Sequence, residues 1–265
     1  MTALRMTRFR ASDGAELAYL EQGSGNARLL FVHGWRADHS VWQEVISGLG
    51  PRAQSVAVDL RGSGSSNVAW GPRNLERFAA DLRELVAALG IGPVVVVGHS
   101  MGATVALRLA LDAPEAVSGL ILIAPVPASG AGFSPKGADY LRATAGDPIA
   151  ARKWLSGMFA GEPDPTVLDR VCVAAAKTPR DAALEGFESW ANADFAEATR
   201  TISAPAVVVA PERDNPEMYQ RKVAALLPNA RFVLLPDCGH YAILERPGEI
   251  VTIIADMQER MMGPT

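Results

Sequence analysis

"VVVVGHSMGATVALRLAL", residues 94–111, runs four valines into a Gly-His-Ser-Met-Gly cluster and then directly into an alanine- and leucine-rich stretch. A run that is apolar on both faces suits a central strand of a parallel sheet covered by helices. A strand that ends in G-x-S-x-G and passes at once into a helix makes a very tight turn, so the residues flanking the serine must lack bulky side chains. Gly98 and Gly102 meet that demand. Such a turn lifts Ser100 above the carboxyl ends of the strands, where open α/β sheets bind their ligands, and sets a helix N-terminus behind any developing negative charge. The five-residue pattern alone arises easily by chance; its place at a strand-to-helix junction gives it weight.

Upstream of this junction the chain alternates strand-like and helical runs, the pattern of a mixed or parallel sheet with helices on both faces. "MTRFRASDGAELAYLEQG" reads as a hairpin turning at Asp13-Gly14, "ARLLFVHG" as a buried strand, "HSVWQEVISGLG" as a helix closed by Gly50, and "AQSVAVDL" as the next strand. "NLERFAADLRELVAALG" places Leu75, Phe78, Ala79, Leu82, Leu85, Val86 and Leu89 on one helical stripe, capped by Asn74 and ended by Gly90. "GLILIAP" repeats the buried-strand signature after the serine helix. From about residue 126 to 203 the strand signal gives way to helical pieces separated by Gly and Pro, which reads as a helical insertion. Strands and helices resume at Ala204 with "APAVVVAP", "PEMYQRKVAALLP", "ARFVLLP", the loop "DCGHYAILERP" and a closing helix from about Pro247 to Met261. The division is therefore a core over 1–125, an insertion over 126–203 and the rest of the core over 204–265.

Composition narrows the function classes. The 265 residues, 49% of them hydrophobic, supply a large core. A net charge of −4 with no Lys/Arg run gives no footprint for nucleic acid or an anionic membrane surface, and neither is an expected partner. No apolar run approaches the roughly 18 residues of a membrane span, and "MTALRMTRFRASDG" lacks the apolar centre of a signal peptide, so the expectation is a soluble cytoplasmic protein. Cys172 and Cys238 read as free thiols, and nothing in the spacing of Cys or His calls for a metal or cofactor.

A serine hydroxyl is a poor nucleophile until a base takes its proton, and the chain holds four histidines, His33, His39, His99 and His240. His99 neighbours the serine on a turn whose adjacent side chain points elsewhere, and His33 suits the shaping of a loop. His240 follows the last strand and returns to the same sheet edge as Ser100, and it is the expected general base. The orienting acid should follow an earlier strand. "PERD" offers Glu212 and Asp214, of which Asp214 is preferred; Glu212 and Asp237 stay open as alternatives. Oxyanion donors are expected from the backbone N–H groups of Met101, just after the serine, and Trp35, in "HGW". Trp154, Met158, Phe159, Phe187, Trp190 and Phe195 in the insertion serve either as its core or as a substrate lining, and the first five are the candidate substrate contacts. "GSGSS" at 62–66 lacks the frame of a nucleotide loop and reads as a structural turn, with Asp59 and Arg61 bracing loops.

Taken together, "HGW" at 33–35, "DLRGSGSS" at 59–66, "GHSMG" at 98–102, "PERD" at 211–214 and "GH" at 239–240 resemble the α/β-hydrolase superfamily over essentially the whole chain, closest in look to bacterial carboxylesterases. The resemblance implies an eight-stranded, mostly parallel sheet, a Ser100-Asp214-His240 triad, an oxyanion hole from Trp35 and Met101, and a helical cap near 126–203. The expected activity is hydrolysis of an ester or lactone of a small, partly apolar substrate through an acyl-enzyme. The same triad on similar folds also supports C–C bond hydrolysis, perhydrolysis and cofactor-free dioxygenation. A reading from another class is a slow-turnover, ligand-binding signalling protein.

Overall fold

In a computed structural model, which describes residues 4–51, 53–66 and 71–262, the chain begins with the expected hairpin. Strand β1 (Arg5–Arg10) pairs antiparallel with β2 (Glu16–Gln22), and Gly14 at the turn takes φ 88°. Strand β3 (Ala27–Val32) leads to helix α1 (Gln43–Leu49), and β4 (Ala53–Val58) to α2 (Leu75–Leu89). Strand β5 (Val94–His99) leads to α3 (Met101–Asp112), which is followed by β6 (Val117–Ile123). Four helices then intervene: α4 (Pro135–Thr144), α5 (Pro148–Ser156), α6 (Pro165–Lys177) and α7 (Arg180–Ala191). Strand β7 (Ala206–Pro211), helix α8 (Gln220–Leu226), strand β8 (Ala230–Leu235) and helices α9 (Ala242–Glu245) and α10 (Pro247–Met262) complete the chain.

The eight strands form one sheet in the order β1-β2-β4-β3-β5-β6-β7-β8. The two pairings of β2 are antiparallel, and every other pairing is parallel. The four-valine strand sits at the centre, flanked by β3 and β6, and no valine in it is more than 4% exposed. Successive strand side chains point to opposite faces. Accordingly Val94 and Val96 pack in one core with Leu82 and Leu85 of α2 and Leu109 of α3, while Val95 and Val97 pack in a second core with Val45 of α1 and Ile250 and Ile254 of α10. Each fully buried aliphatic side chain contributes about 1.5–3 kcal/mol, so the strand that carries the serine is firmly anchored, as are its largely buried neighbours β3 and β6.

Local signals explain most boundaries. The Asn74 side chain accepts from the Arg77 N–H at 2.9 Å, and Gly90 ends α2 in the left-handed region. The stripe foreseen on α2 is buried from Leu75 to Val86, with Leu89 half-buried. Two boundaries differ from expectation. The stretch from His39 opens as a 3-10 turn, because Asp38 accepts from the Ser40 N–H, and the α-helix starts only at Gln43. The helix expected from Pro216 starts at Gln220, because Asn215 takes φ 50° and its carbonyl accepts from Met218, closing a turn first. Among the described residues no helix is long and apolar enough to cross a membrane, and no group of three or more His, Cys, Asp or Glu is placed to hold a metal ion. Met1, Thr2 and Ala3, part of the N-terminal stretch read for a signal peptide, lie outside the described residues.

Candidate active site

Ser100 stands between β5 and α3 at φ 54°, ψ −124°, a backbone conformation rarely adopted by residues other than glycine. Its neighbours show why the turn needs glycines. A Cβ on Gly98 would lie 2.5 Å from the Gly102 carbonyl oxygen, and one on Gly102 would lie 2.2 Å from that of Val32. Helix α3 therefore starts pressed against the end of β3. The loop leaving β3 comes equally close, since a Cβ on Gly34 would meet the Ser100 Cβ at 3.1 Å. The backbone N–H groups of Trp35 and Met101, which flank this contact, donate to no acceptor among the described hydrogen bonds.

His240 lies on the loop between β8 and α9. Its Nδ1–H donates to Asp214 Oδ2 at 2.9 Å, which turns Nε2 into the acceptor of the ring. The loop is held from two sides. The His240 N–H donates to the Met158 carbonyl at 2.8 Å, and the His240 carbonyl accepts from His99 Nε2 at 2.9 Å. Gly239 makes this threading possible, because a Cβ there would sit 2.5 Å from the Ala160 nitrogen. Of the two alternative acids, Glu212 accepts from the Asp237 N–H, and Asp237 pairs with Arg213 at 2.7 Å at the surface. Only Asp214 reaches the imidazole.

The other histidines have structural duties. Buried His33 donates from Nδ1 to the Gly34 carbonyl and accepts at Nε2 from the Leu60 N–H, a neutral tautomer fixed at both nitrogens. Burial holds its pKa below the ordinary histidine value. His39 pairs with buried Asp59 at 2.8 Å. Burial pushes His99 down to about 3, with the nearby His240 adding to the shift, so it is a neutral donor to the His240 carbonyl. Its contact with the His240 loop is a role the sequence did not reveal, since nothing in the spacing joins residues 141 apart.

Gly34, Trp35, Ser100, Asp214 and His240 all line one cavity of about 380 Å³. No hydrogen bond joins Ser100 Oγ to a described group, and bonds of that kind often form only in the substrate complex. Of the aromatic and Met residues foreseen in the insertion, Trp154, Met158 and Trp190 line the cavity. Phe159 and Phe187 do not, which corrects the expectation that they contact substrate. Phe187 is fully buried beneath Trp35 and Trp190, and the Phe159 ring stacks on Tyr241 with centroids 5.0 Å apart. Phe195 packs against the core under Arg108. The lining also includes Phe133, Tyr140, Asn215 and Gln220, which sequence reasoning missed because each depends on the direction in which a loop or helix side chain points. Trp35 ties the β3 loop to α7, its Nε1–H donating to the Ala183 carbonyl at 2.7 Å. Among the lining residues there is no Lys or Arg.

An eight-stranded, mostly parallel sheet with a strained serine between its central strand and a helix is the architecture of an α/β-hydrolase. The chain belongs to the alpha/beta hydrolase family, whose match spans residues 29–253. It is 31% identical over 248 residues to the lipase LipV of Mycobacterium tuberculosis, covering 87% of this chain and 93% of that protein. It is 36% identical over 118 residues to the dihydrolipoyllysine-residue acetyltransferase component of an acetoin cleaving system from Cupriavidus necator; the alignment takes 44% of this chain and 32% of that protein, so the chain spans about a third of its length. Among solved structures, a thermophilic esterase from Thermogutta terrifontis superposes with a TM-score of 0.84 at 25% identity, over 97% of this chain and 99% of that one.

Proposed function

We propose that this protein is a serine hydrolase that cleaves a carboxylic ester or lactone of a small, uncharged, partly apolar substrate. The observation that carries the reading is the 2.9 Å bond from His240 Nδ1 to Asp214 in the cavity that Ser100 also lines. In this reading Ser100 Oγ attacks the carbonyl carbon while His240 Nε2 takes its proton, and Asp214 stabilises the imidazolium. The tetrahedral oxyanion is met by the N–H groups of Trp35 and Met101, each removal of such a donor costing about 2.7–4 kcal/mol. Collapse releases the alcohol, which takes the proton from His240, and leaves an acyl-serine. Water, deprotonated by His240, then attacks the acyl carbonyl, and Ser100 regains its proton as the acid departs.

Helices α4–α7 act as a cap in this reading, with Phe133 and Trp190 bounding the acyl or alcohol group. A lining without Lys or Arg argues against substrates that carry a carboxylate or phosphate. The esterase and lipase names among the relatives agree with this chemistry. The test is hydrolysis of a panel of uncharged short-chain nitrophenyl esters and simple lactones by wild type and Ser100→Ala. Turnover by the wild type that falls at least about 1,000-fold in the variant is expected. Equal turnover by both proteins would remove the serine from the mechanism.

A further inference from the structure

We propose that Gln220 is a positioning residue that acts on the reaction by holding the Asp214 carboxylate. The inference rests on the triad reading above. Gln220 Nε2 donates to Asp214 Oδ2 at 2.9 Å, the same oxygen that accepts from His240 Nδ1. A carboxylate only accepts, so the amide nitrogen must be the group that faces it.

Asp214 by itself is poorly constrained. It lies in the loop after β7, and the residue that follows it, Asn215, takes φ 50°. The torsion that sets the plane of an aspartate carboxylate is broad. Gln220 supplies the missing constraint from the first turn of α8, where it is only 1% exposed and so has little freedom of its own. With donors from two separate elements on one oxygen, the carboxylate plane is fixed while Oδ2 stays aimed at the imidazole. Packing does not explain the residue, because Gln220 Oε1 is buried without a partner among the described residues. A leucine of similar size would avoid that penalty, and what it would forfeit is the bond to Asp214.

The other titratable groups facing the pair are His99 from the end of β5, Tyr219 just before α8, and Cys238 and Tyr241 beside His240. Burial holds His99 down to about 3 and pushes Cys238 up to about 12. Burial also raises both tyrosines, Tyr219 being raised further by Asp214. None of those four changes charge between about pH 5 and 8, and His240 and Glu245, which lies against Gly239, are present in every variant, so a limb of the pH profile shown by Gln220→Glu alone is attributable to the group placed at 220.

The test uses Gln220→Leu and Gln220→Glu, each alone and combined with Asp214→Asn, with ester kinetics and the rate of labelling by a serine-directed phosphonate as readouts. In Gln220→Leu, kcat should fall about 10- to 100-fold, as expected for a lost hydrogen bond to a charged group, with KM within about threefold. Labelling should slow in parallel, and in the Asp214→Asn background the same change should have less than about a twofold effect. Gln220→Glu should follow the wild-type profile along its rising acid limb, where its carboxyl shares a proton with Asp214, and lose activity at higher pH as that proton leaves, turning a plateau into a bell. An effect on KM alone, wild-type kinetics in both variants, or an equal loss in the Asp214→Asn background would overturn the proposal. If the phosphonate labels wild-type Ser100 and the Gln220 variants react at the wild-type rate, only this inference fails. If wild-type Ser100 is not labelled at all, the triad reading fails with it.

Discussion

Replacing Gly102 by alanine attacks the apposition on which the site is built. The new Cβ would lie 2.2 Å from the Val32 carbonyl oxygen and 2.5 Å from that of His33, against relaxed non-bonded separations of about 3.5 Å. Both obstacles are backbone, so no side chain can rotate aside, and α3 must retreat from β3 by roughly 1 Å. Overpacking of this kind costs about 1–3 kcal/mol. The kinetic cost should be larger than the loss of stability implies. Helix α3 carries the Met101 N–H and is entered directly from Ser100, while the loop leaving β3 carries the Trp35 N–H, so the retreat separates the two sides of the proposed reaction centre. A misplacement of about 1 Å costs on the order of 100-fold in rate. Urea unfolding and pre-steady-state ester acylation measure the two effects, with Gly14→Ala as the control. A Cβ at Gly14 meets nothing within 4 Å, although φ there is +88°, so this variant should lose stability through backbone strain alone and keep its acylation rate. A Gly102→Ala protein with wild-type stability and rate would refute the idea that close packing of β3 against α3 sets the geometry.

Three further outcomes follow from the same structure. His99 has a folded pKa of about 3 against about 6.5 when unfolded. The unfolded chain therefore binds the extra proton between those values, and stability falls as pH drops from about 6.5 towards 3. Its share between pH 6.5 and 4.5 is roughly 2–3 kcal/mol, so unfolding titrations should show an acid slope that His99→Gln makes shallower; an unchanged slope would exclude His99 as a source. Arg61 is fully buried and grips Asp81 through two hydrogen bonds of 2.8 and 3.0 Å. Asp81→Ala leaves Arg61 with Asp13, 2.8 Å from its guanidinium, and also takes a partner from Arg77, so it should cost about 1.5–3 kcal/mol in urea unfolding, whereas a loss under about 0.5 kcal/mol would mean that Asp13 and water take over the charge. Phe133 is 37% exposed and lines the cavity, so Phe133→Ala should leave stability nearly unchanged and raise KM for apolar esters about fivefold with kcat retained; a fall in kcat at constant KM would contradict its assignment to ground-state binding.

What the sequence made legible is what depends on short-range pattern. The valine strand, the stripe on α2 and its Asn74 and Gly90 ends follow from periodicity and capping, which act within a few residues. The placement of Ser100 at a strand-to-helix turn and of His240 on the loop after β8 was legible because a glycine motif and a choice among four histidines leave few options. The carboxylate that meets His240 was less sharply defined. Glu212, Asp214 and Asp237 all flank the right strands, and the choice is made by Arg213 drawing Asp237 outward and by the turn at Asn215. Phe159 and Phe187 were misplaced for a related reason, since helical spacing says that a ring is apolar without saying whether it faces the core or the cavity. Gln220 and the His99 contact lay beyond any local pattern, because both are meetings of loops and helices brought together by the sheet.

The central claim is that Ser100 is an activated nucleophile served by His240 and Asp214. Its most direct measurement is peptide mass spectrometry after treatment with a serine-directed phosphonate. One adduct per chain, on the peptide containing Ser100, with labelling slowed at least about 100-fold in His240→Gln, is the predicted result. Labelling spread over several hydroxyls, or a Ser100 adduct formed just as fast without His240, would contradict it.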